Sequence, residues 1–167
     1  MPEKPSLVVN SSPLIALVAA LPDFDQLAGI VTRFIIPAEV ITELVAGGLK
    51  DDTASRVQAA PWCEVRPPLS SAPDPLLQRL GAGEAAVIQT AQEERLPLVA
   101  IDEVRGRRAA RLAGLRVIGS LGLLVELHHA GLLASVDDSI RRMQAKGIHL
   151  SARLIQMTRE AALESRF

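Results

Sequence analysis

Tyrosine is absent from this chain, and its aromatic residues come to Trp62 and three phenylalanines. Stacking of successive bases on an aromatic platform is therefore excluded as the main mode of nucleic-acid binding, so any RNA has to be held by its backbone. Cysteine is nearly absent too. Cys63 is alone, so no intrachain disulfide can form, and a reducing compartment, the cytoplasm, is the expected location. Neither sign of charge dominates: 18 basic residues face 19 acidic ones, for a net charge of −1. That rules out a broad polybasic surface and leaves room for a local basic patch. Long apolar runs are missing, and stretches such as 14–21 are too short to cross a bilayer. The N-terminus has no charged segment leading into an apolar run, so no signal peptide is expected. There is no internal repeat, no Walker A loop and no GxGxxG turn.

What remains is an apolar chain of ordinary length. At 167 residues with 49% hydrophobic content, it can bury a substantial core in one domain, 1–167. Short β-branched or apolar runs at 7–9, 33–36, 62–66, 98–101 and 115–118 read as buried strands. Between them lie helical stretches at 12–20, 24–31, 37–46, 51–60, 84–96 and 104–113, then 120–130. Ser12 followed by Pro13 reads as an N-cap with proline in the first turn, and Gly47 and Gly48 close the third helix. The proline-rich stretch 67–75 is the one clear loop. Ser135 and Asp138 form a capping-box start for a helix to about 145, and Ser151 opens a last helix to about 164. Strands alternating with helices predict parallel βαβ units, hence an α/β fold: a three-layer α/β/α arrangement around a central parallel sheet. Its core spans about 5–133, with a C-terminal helical extension at about 135–165.

In such sheets, ligands bind outside the carboxyl ends of the strands. Asn10 ends the first strand, and Asp102 with Glu103 ends the fourth. Glu84 opens the helix feeding that strand, and Glu43 lies on the helix after the second. Oxygen donors of this kind suit a hard cation such as Mg²⁺. Each also has an ordinary structural explanation. Glu43 can be a solvated helix residue sharing a face with Glu39, Glu84 can complement a helix dipole, Asp102 can cap the arginine-rich helix, and Asn10 can be a turn residue. Their convergence from separate βα turns is what favours a site. The helix after Asp102 carries Arg105, Arg107, Arg108 and Arg111. Arg105 and Arg108 share one face, which makes them the preferred phosphate contacts over a merely solvated basic face. Cys63 and the pair His128 and His129 lie in segments remote from the acidic set.

The segments VVNSSPLIAL (8–17), IPAEVITELV (36–45), LGAGEAAVIQTA (80–91) and AIDEVRGRRAARLAGLRVIGSLGLLVELHHAGLL (100–133), in that order and spacing, resemble the PIN-domain family. KGIHLSARLI in the tail is similar to the PIN-like branch of toxin–antitoxin ribonucleases (VapC-like). The resemblance implies a Mg²⁺- or Mn²⁺-dependent ribonuclease acting on RNA, paired with an antitoxin protein. It places Asn10, Glu43, Glu84 and Asp102 in an acidic pocket, with Glu103 a neighbouring metal ligand and Ser11 or Ser12 a polar contact to RNA. Glu43, Glu84 and Asp102 are its implied catalytic residues. The sequence departs from the family pattern at Asn10, where an aspartate ligand is expected. An amide oxygen can ligate Mg²⁺ but brings no charge and cannot act as a base. The alternative is a PIN-like binding module of weak or no activity, pairing with an antitoxin or regulator. A third reading is a partner protein that dimerises: the apolar helices 12–20 and 120–130 can supply an interface to an antitoxin or a homodimer, and burial in the core explains them equally well.

Overall fold

A computed structural model describes residues 3–47, 52–72 and 74–164. Five strands, β1 (Ser6–Val9), β2 (Arg33–Pro37), β3 (Cys63–Arg66), β4 (Leu98–Ala100) and β5 (Arg116–Ile118), form one sheet in the order β3-β2-β1-β4-β5. Every pairing is parallel, as the βαβ pattern requires. The central strands are buried on both faces: Leu7, Val8 and Val9, then Phe34, Ile35 and Ile36, then Val99 and Ala100 have no exposed surface. The edges are protected by charge. Beside β3, Arg33 and Arg66 share the carboxylates of Glu64 and Glu94 in a four-residue network. These ion pairs hold Glu64 and Glu94 below the usual carboxylate range.

The helices are α1 (Ser11–Ala20), α2 (Ala38–Ala46), α3 (Thr53–Ala59), α4 (Ala82–Glu93), α5 (Val104–Leu112), α6 (Ser120–His129), α7 (Val136–Ala145) and α8 (Ala152–Leu163). Right-handed crossovers place the connections from β1 towards β3 on one face, and those through α4 and α5 on the other. The C-terminal helices return to the first face, where α7 packs on α1 and α8 packs on α6 and α7. Most of the apolar surface of α1 and α6 is thus covered within the chain: Leu14, Leu17, Leu124 and Leu127 are fully buried, while Ile15 stays partly exposed. Phe24, Phe34 and Trp62 form one cluster with ring centroids 5.1–6.3 Å apart, and Trp62 Nε1 donates to Asp25 at 2.7 Å. These three of the chain's four aromatic residues are spent on packing.

Local boundaries differ from the sequence reading in four places. Residues Phe24–Gly29 make a 3₁₀ helix rather than an α-helix to 31. Asn10, not Ser12, is the N-cap of α1, so Pro13 sits in the third position, where its missing N–H costs nothing. Helix α4 starts at Ala82, two residues ahead of Glu84. Asp102 does not cap α5; Glu103 occupies that position. The expected helix start at Asp51 and the stop at Gly48 lie outside the described residues. The two serine caps are as expected: Ser135 Oγ accepts from the Asp138 N–H, and Ser151 Oγ from the Leu154 N–H.

Candidate metal centre

Strand order 3-2-1-4-5 reverses direction between β1 and β4, and the crevice at their carboxyl ends is the switch point where α/β sheets bind ligands. A cavity of about 290 Å³ opens there, lined by Asn10, Ser11, Glu43, Glu84, Glu103 and two arginines, Arg79 and Arg105. Its carboxylate and amide side chains arrive from four places: three are glutamates and one is an asparagine. Asn10 follows β1, and its backbone N–H is tied to the Ala100 carbonyl of β4 at 3.0 Å, which locks the two strand ends together. Glu43 reaches in from the second turn of α2. Its carboxylate accepts from Ser11 Oγ at 3.0 Å and from the Gly83 N–H at 2.8 Å, so one side chain clamps α1 and α4 to α2. Glu103 stands exposed at the mouth and takes a hydrogen bond from Ser12 Oγ at 3.1 Å. The consecutive serines therefore brace two different carboxylates.

Glu84 is the buried member, with 9% of its surface exposed. Burial raises its pKa above the usual 4.5, and a hydrogen bond to Glu103, the Glu103 charge and the Glu43 charge add to the rise. A carboxyl in that setting keeps its proton more readily than a surface glutamate. Glu84 Oε1 and Asn10 Oδ1 are both buried with no hydrogen-bond partner. Unsatisfied buried oxygens are costly, and these two stand on one small acidic cavity with acceptor capacity open to a cation or to water. Two glycines make the approach possible. A Cβ on Gly106 would lie 2.7 Å from Glu84 Oε1, and one on Gly83 would lie 2.5 Å from Glu43 Oε2. All donors are oxygens, which fits a hard divalent cation. Among the described residues, no group of three or more His, Cys, Asp or Glu side chains is placed to hold a metal ion as it stands; the three glutamates line one cavity without converging on a point, and Asn10 adds an amide oxygen.

Asp102 is placed differently from the other predicted residues. Its Oδ1 accepts the Ser120 N–H at 2.7 Å, capping α6, and its side chain lines a second, larger cavity. Of the predicted phosphate contacts, Arg105 lines the acidic cavity and donates to the Arg79 carbonyl at 2.9 Å, whereas Arg108 is exposed and lines neither cavity. Sequence reasoning missed Arg79, Gly83 and Gly106. Arg79 sits in the turn before α4, outside any charge cluster, and the two glycines had a signal only in lying one and three residues from a nominated acid.

Gly106→Ala is a direct test of this crowding. Alanine favours a helix interior over glycine by about 1 kcal/mol, so the variant is expected to fold. The added methyl presses on Glu84 and, at 2.9 Å, on Ile101 Cγ2, so melting curves accompany the titration, and Mn²⁺ affinity is expected to fall by roughly 10–100-fold, the scale of a disturbed metal shell. Isothermal titration of the purified variant checks it.

A profile of the PIN-domain family matches residues 6–164, nearly the whole chain. The chain belongs to that family. Its five-stranded parallel sheet flanked by helices is the PIN-like α/β/α fold, and a nuclease-type fold with an acidic cavity at the switch point makes a nuclease the coarse assignment. No curated protein and no solved structure matches it significantly. Among the described residues, no helix is long and apolar enough to cross a membrane.

Proposed function

We propose that this chain acts as one domain, a Mg²⁺- or Mn²⁺-dependent endoribonuclease of the PIN type and the toxin component of a toxin–antitoxin pair in the cytoplasm. The observation that carries the nuclease reading is the buried, unpartnered Glu84 oxygen beside an unpartnered Asn10 oxygen, in a cavity that Glu43 and Glu103 complete. Asn10, Glu43, Glu84 and Glu103 would hold the cation, which supplies charge to offset that building on the phosphate and lowers the pKa of nearby water.

The chain's own groups do the rest. Arg79 and Arg105 flank the acidic cavity, and among the described residues neither has a carboxylate partner, so both are free to take phosphate oxygens. Ser11 and Ser12 hold the Glu43 and Glu103 carboxylates in place. Glu103, exposed at the mouth, is positioned to accept the proton from an attacking water as the P–O bond to the leaving ribose breaks. Asp102 acts through its bond to the Ser120 N–H, fixing the β4–α5 turn from which Glu103 projects.

The test is cleavage of labelled single-stranded RNA. With Mn²⁺ added, discrete cleavage is expected, and EDTA is expected to stop it. A saturating cation at about 100 times its dissociation constant should also raise the melting temperature by about 5–10 °C. The uncharged Asn10 supports a second reading, a PIN-like binding module paired with an antitoxin: a thermal shift with Mn²⁺ and no cleavage of any RNA would favour it over the enzyme.

A further inference from the structure

The larger cavity, about 690 Å³, lies beside the acidic one and is not explained by metal binding. It opens between the start of α1, the end of β5, the N-terminus of α6, and α8 with the segment that leads into it. Apolar side chains dominate its walls, among them Ile15, Ile118, Leu121, Leu154 and Met157. Ile15, Leu154 and Met157 are 37%, 47% and 54% exposed, so this face is apolar surface open to a ligand rather than a packing void. A cavity of this volume matches the size range of small-ligand sites.

Two features say what kind of ligand fits. The cavity adjoins the acidic site through single residues: Ser12 lines it while donating to Glu103, and Asp102 lines it while its neighbour Glu103 lines the acidic cavity. The two cavities thus meet at Ser12 and at the 102–103 pair. The second feature is Arg107. It is half-buried on the cavity wall, donates Nη1 to the Ile101 carbonyl at 2.9 Å, and among the described residues has no carboxylate at ion-pair distance. Burial lowers its pKa, which the Asp102 charge partly offsets. A guanidinium in that position, on the wall of a mainly apolar cavity with Asp102 close by, has spare donors, and these call for a flat ligand with acceptor atoms at its edge.

We propose that this cavity binds the base of the nucleotide adjoining the phosphate in the acidic site, gripping it between aliphatic walls with Arg107 donating to the base edge. The proposal rests on the ribonuclease reading and deepens it by assigning base selectivity to a chain that has no aromatic platform. Guanine is the expected occupant: it presents two adjacent acceptors, O6 and N7, to a guanidinium, and two adjacent donors, N1–H and N2–H, for which Asp102 on the same wall is the acceptor.

The experiment measures equilibrium binding of short, labelled RNAs in EDTA, so that it does not depend on cleavage. The probes are a hexamer with guanosine at one position, its uridine counterpart, and the same strand with an abasic site. Wild type is compared with Arg107→Gln and with the double variant Leu154→Gln/Met157→Gln, whose exposed positions tolerate polar residues; melting curves confirm folding. The expected result is a roughly tenfold preference for the guanosine strand over the abasic one, reduced at least threefold in both variants, with abasic binding unchanged. Equal binding of all three strands by wild type, or variants that leave the preference intact, would overturn the base pocket while leaving cleavage of RNA untouched. Failure of every strand to bind, together with no cleavage under Mn²⁺, would remove the ribonuclease reading and this proposal with it. If the double variant instead turns a dimer into a monomer by light scattering, the cavity is a protein interface and the proposal is wrong.

Discussion

Glu84→Gln is expected to abolish RNA cleavage and at the same time to raise the thermal stability of the metal-free protein at neutral pH. The two effects have one cause. Glu84 is nearly buried, shares a hydrogen bond with Glu103 and feels the charge of Glu43, so its carboxyl pKa is raised in the folded chain. A group whose folded pKa exceeds its unfolded value contributes stability that is fully present below the unfolded pKa and is lost as pH rises through the folded one. The metal-free protein should therefore lose stability as pH climbs upward from about 4.5, the ordinary carboxylate value. Glutamine keeps the shape and one acceptor and removes the titration, so that pH-dependent loss should largely vanish from a series of melting curves. The same change removes a charged ligand from the cation and a carboxylate from the acidic cavity, and a loss of cleavage of at least ~10²-fold is expected. A variant that is stabilised and still cleaves at the wild-type rate would show that the buried acid is not part of the chemistry. A variant that is destabilised would show that Glu84 is held by partners rather than strained against them.

The fold was largely legible because its evidence lies in runs. Leu7 to Val9, Phe34 to Ile36 and Leu98 to Ala100 are apolar without alternation, which only a strand covered on both faces tolerates, and each forms a central parallel strand within a residue of the expected bounds. The alternation of those runs with helical segments then left few topologies open. The misses were local. A 3₁₀ segment at Phe24–Gly29 and an α-helix have the same apolar spacing over six residues, and the segment closes with an i→i−3 bond from the Ile30 N–H to the Leu27 carbonyl instead of continuing to 31. Asn10 and Ser12 are both good N-caps, and the choice between them was made by the Asn10 backbone bond to β4, a tertiary contact that no local pattern carries.

The site was legible in its residue types and not in its directions. Asn10, Glu43, Glu84 and Glu103 share one cavity, as their places at strand ends and helix starts imply. Which of two adjacent acids points into it is a matter of one backbone angle. Asp102 turns to the Ser120 N–H and the positive end of α6, and Glu103, with one more methylene, serves the cavity. Arg105 and Arg108 share a helical face, but only the first turn of α5 reaches the acidic mouth, and the second arginine there comes from a remote loop, Arg79. Gly83 and Gly106 carry no chemistry of their own and mattered only once the distances to the Glu43 and Glu84 carboxylates were known.

Asn10→Asp should tighten Mn²⁺ binding by roughly 10–100-fold, which is about 1.4–2.8 kcal/mol, and should destabilise the protein when no metal is present. Asn10 is 2% exposed, and its Oδ1 has no partner, so a carboxylate there has neither solvent nor a donor to offset its charge. It would also face the shared cavity of Glu43, Glu84 and Glu103, where like charges already hold the Glu84 pKa up. Without a cation, the added charge raises at least one carboxylate further and lowers the melting temperature at pH 7 relative to wild type, with the gap closing as pH falls and the cluster takes up protons. With a cation the sign reverses, because the new charge acts on a dication at close range and away from bulk water. The measurement is a matrix of melting curves and Mn²⁺ titrations for both proteins, with RNA cleavage run in parallel. A crossover, in which the variant is less stable with EDTA and more stable with Mn²⁺, places the residue 10 oxygen in contact with the metal. Destabilisation under both conditions, with unchanged Mn²⁺ affinity, would mean the amide serves the β1–α1 turn alone. Faster cleavage along with the crossover identifies metal occupancy as the limit on wild-type activity, and Asn10 as the residue that sets it. Tighter binding with no cleavage in either protein selects the binding module instead.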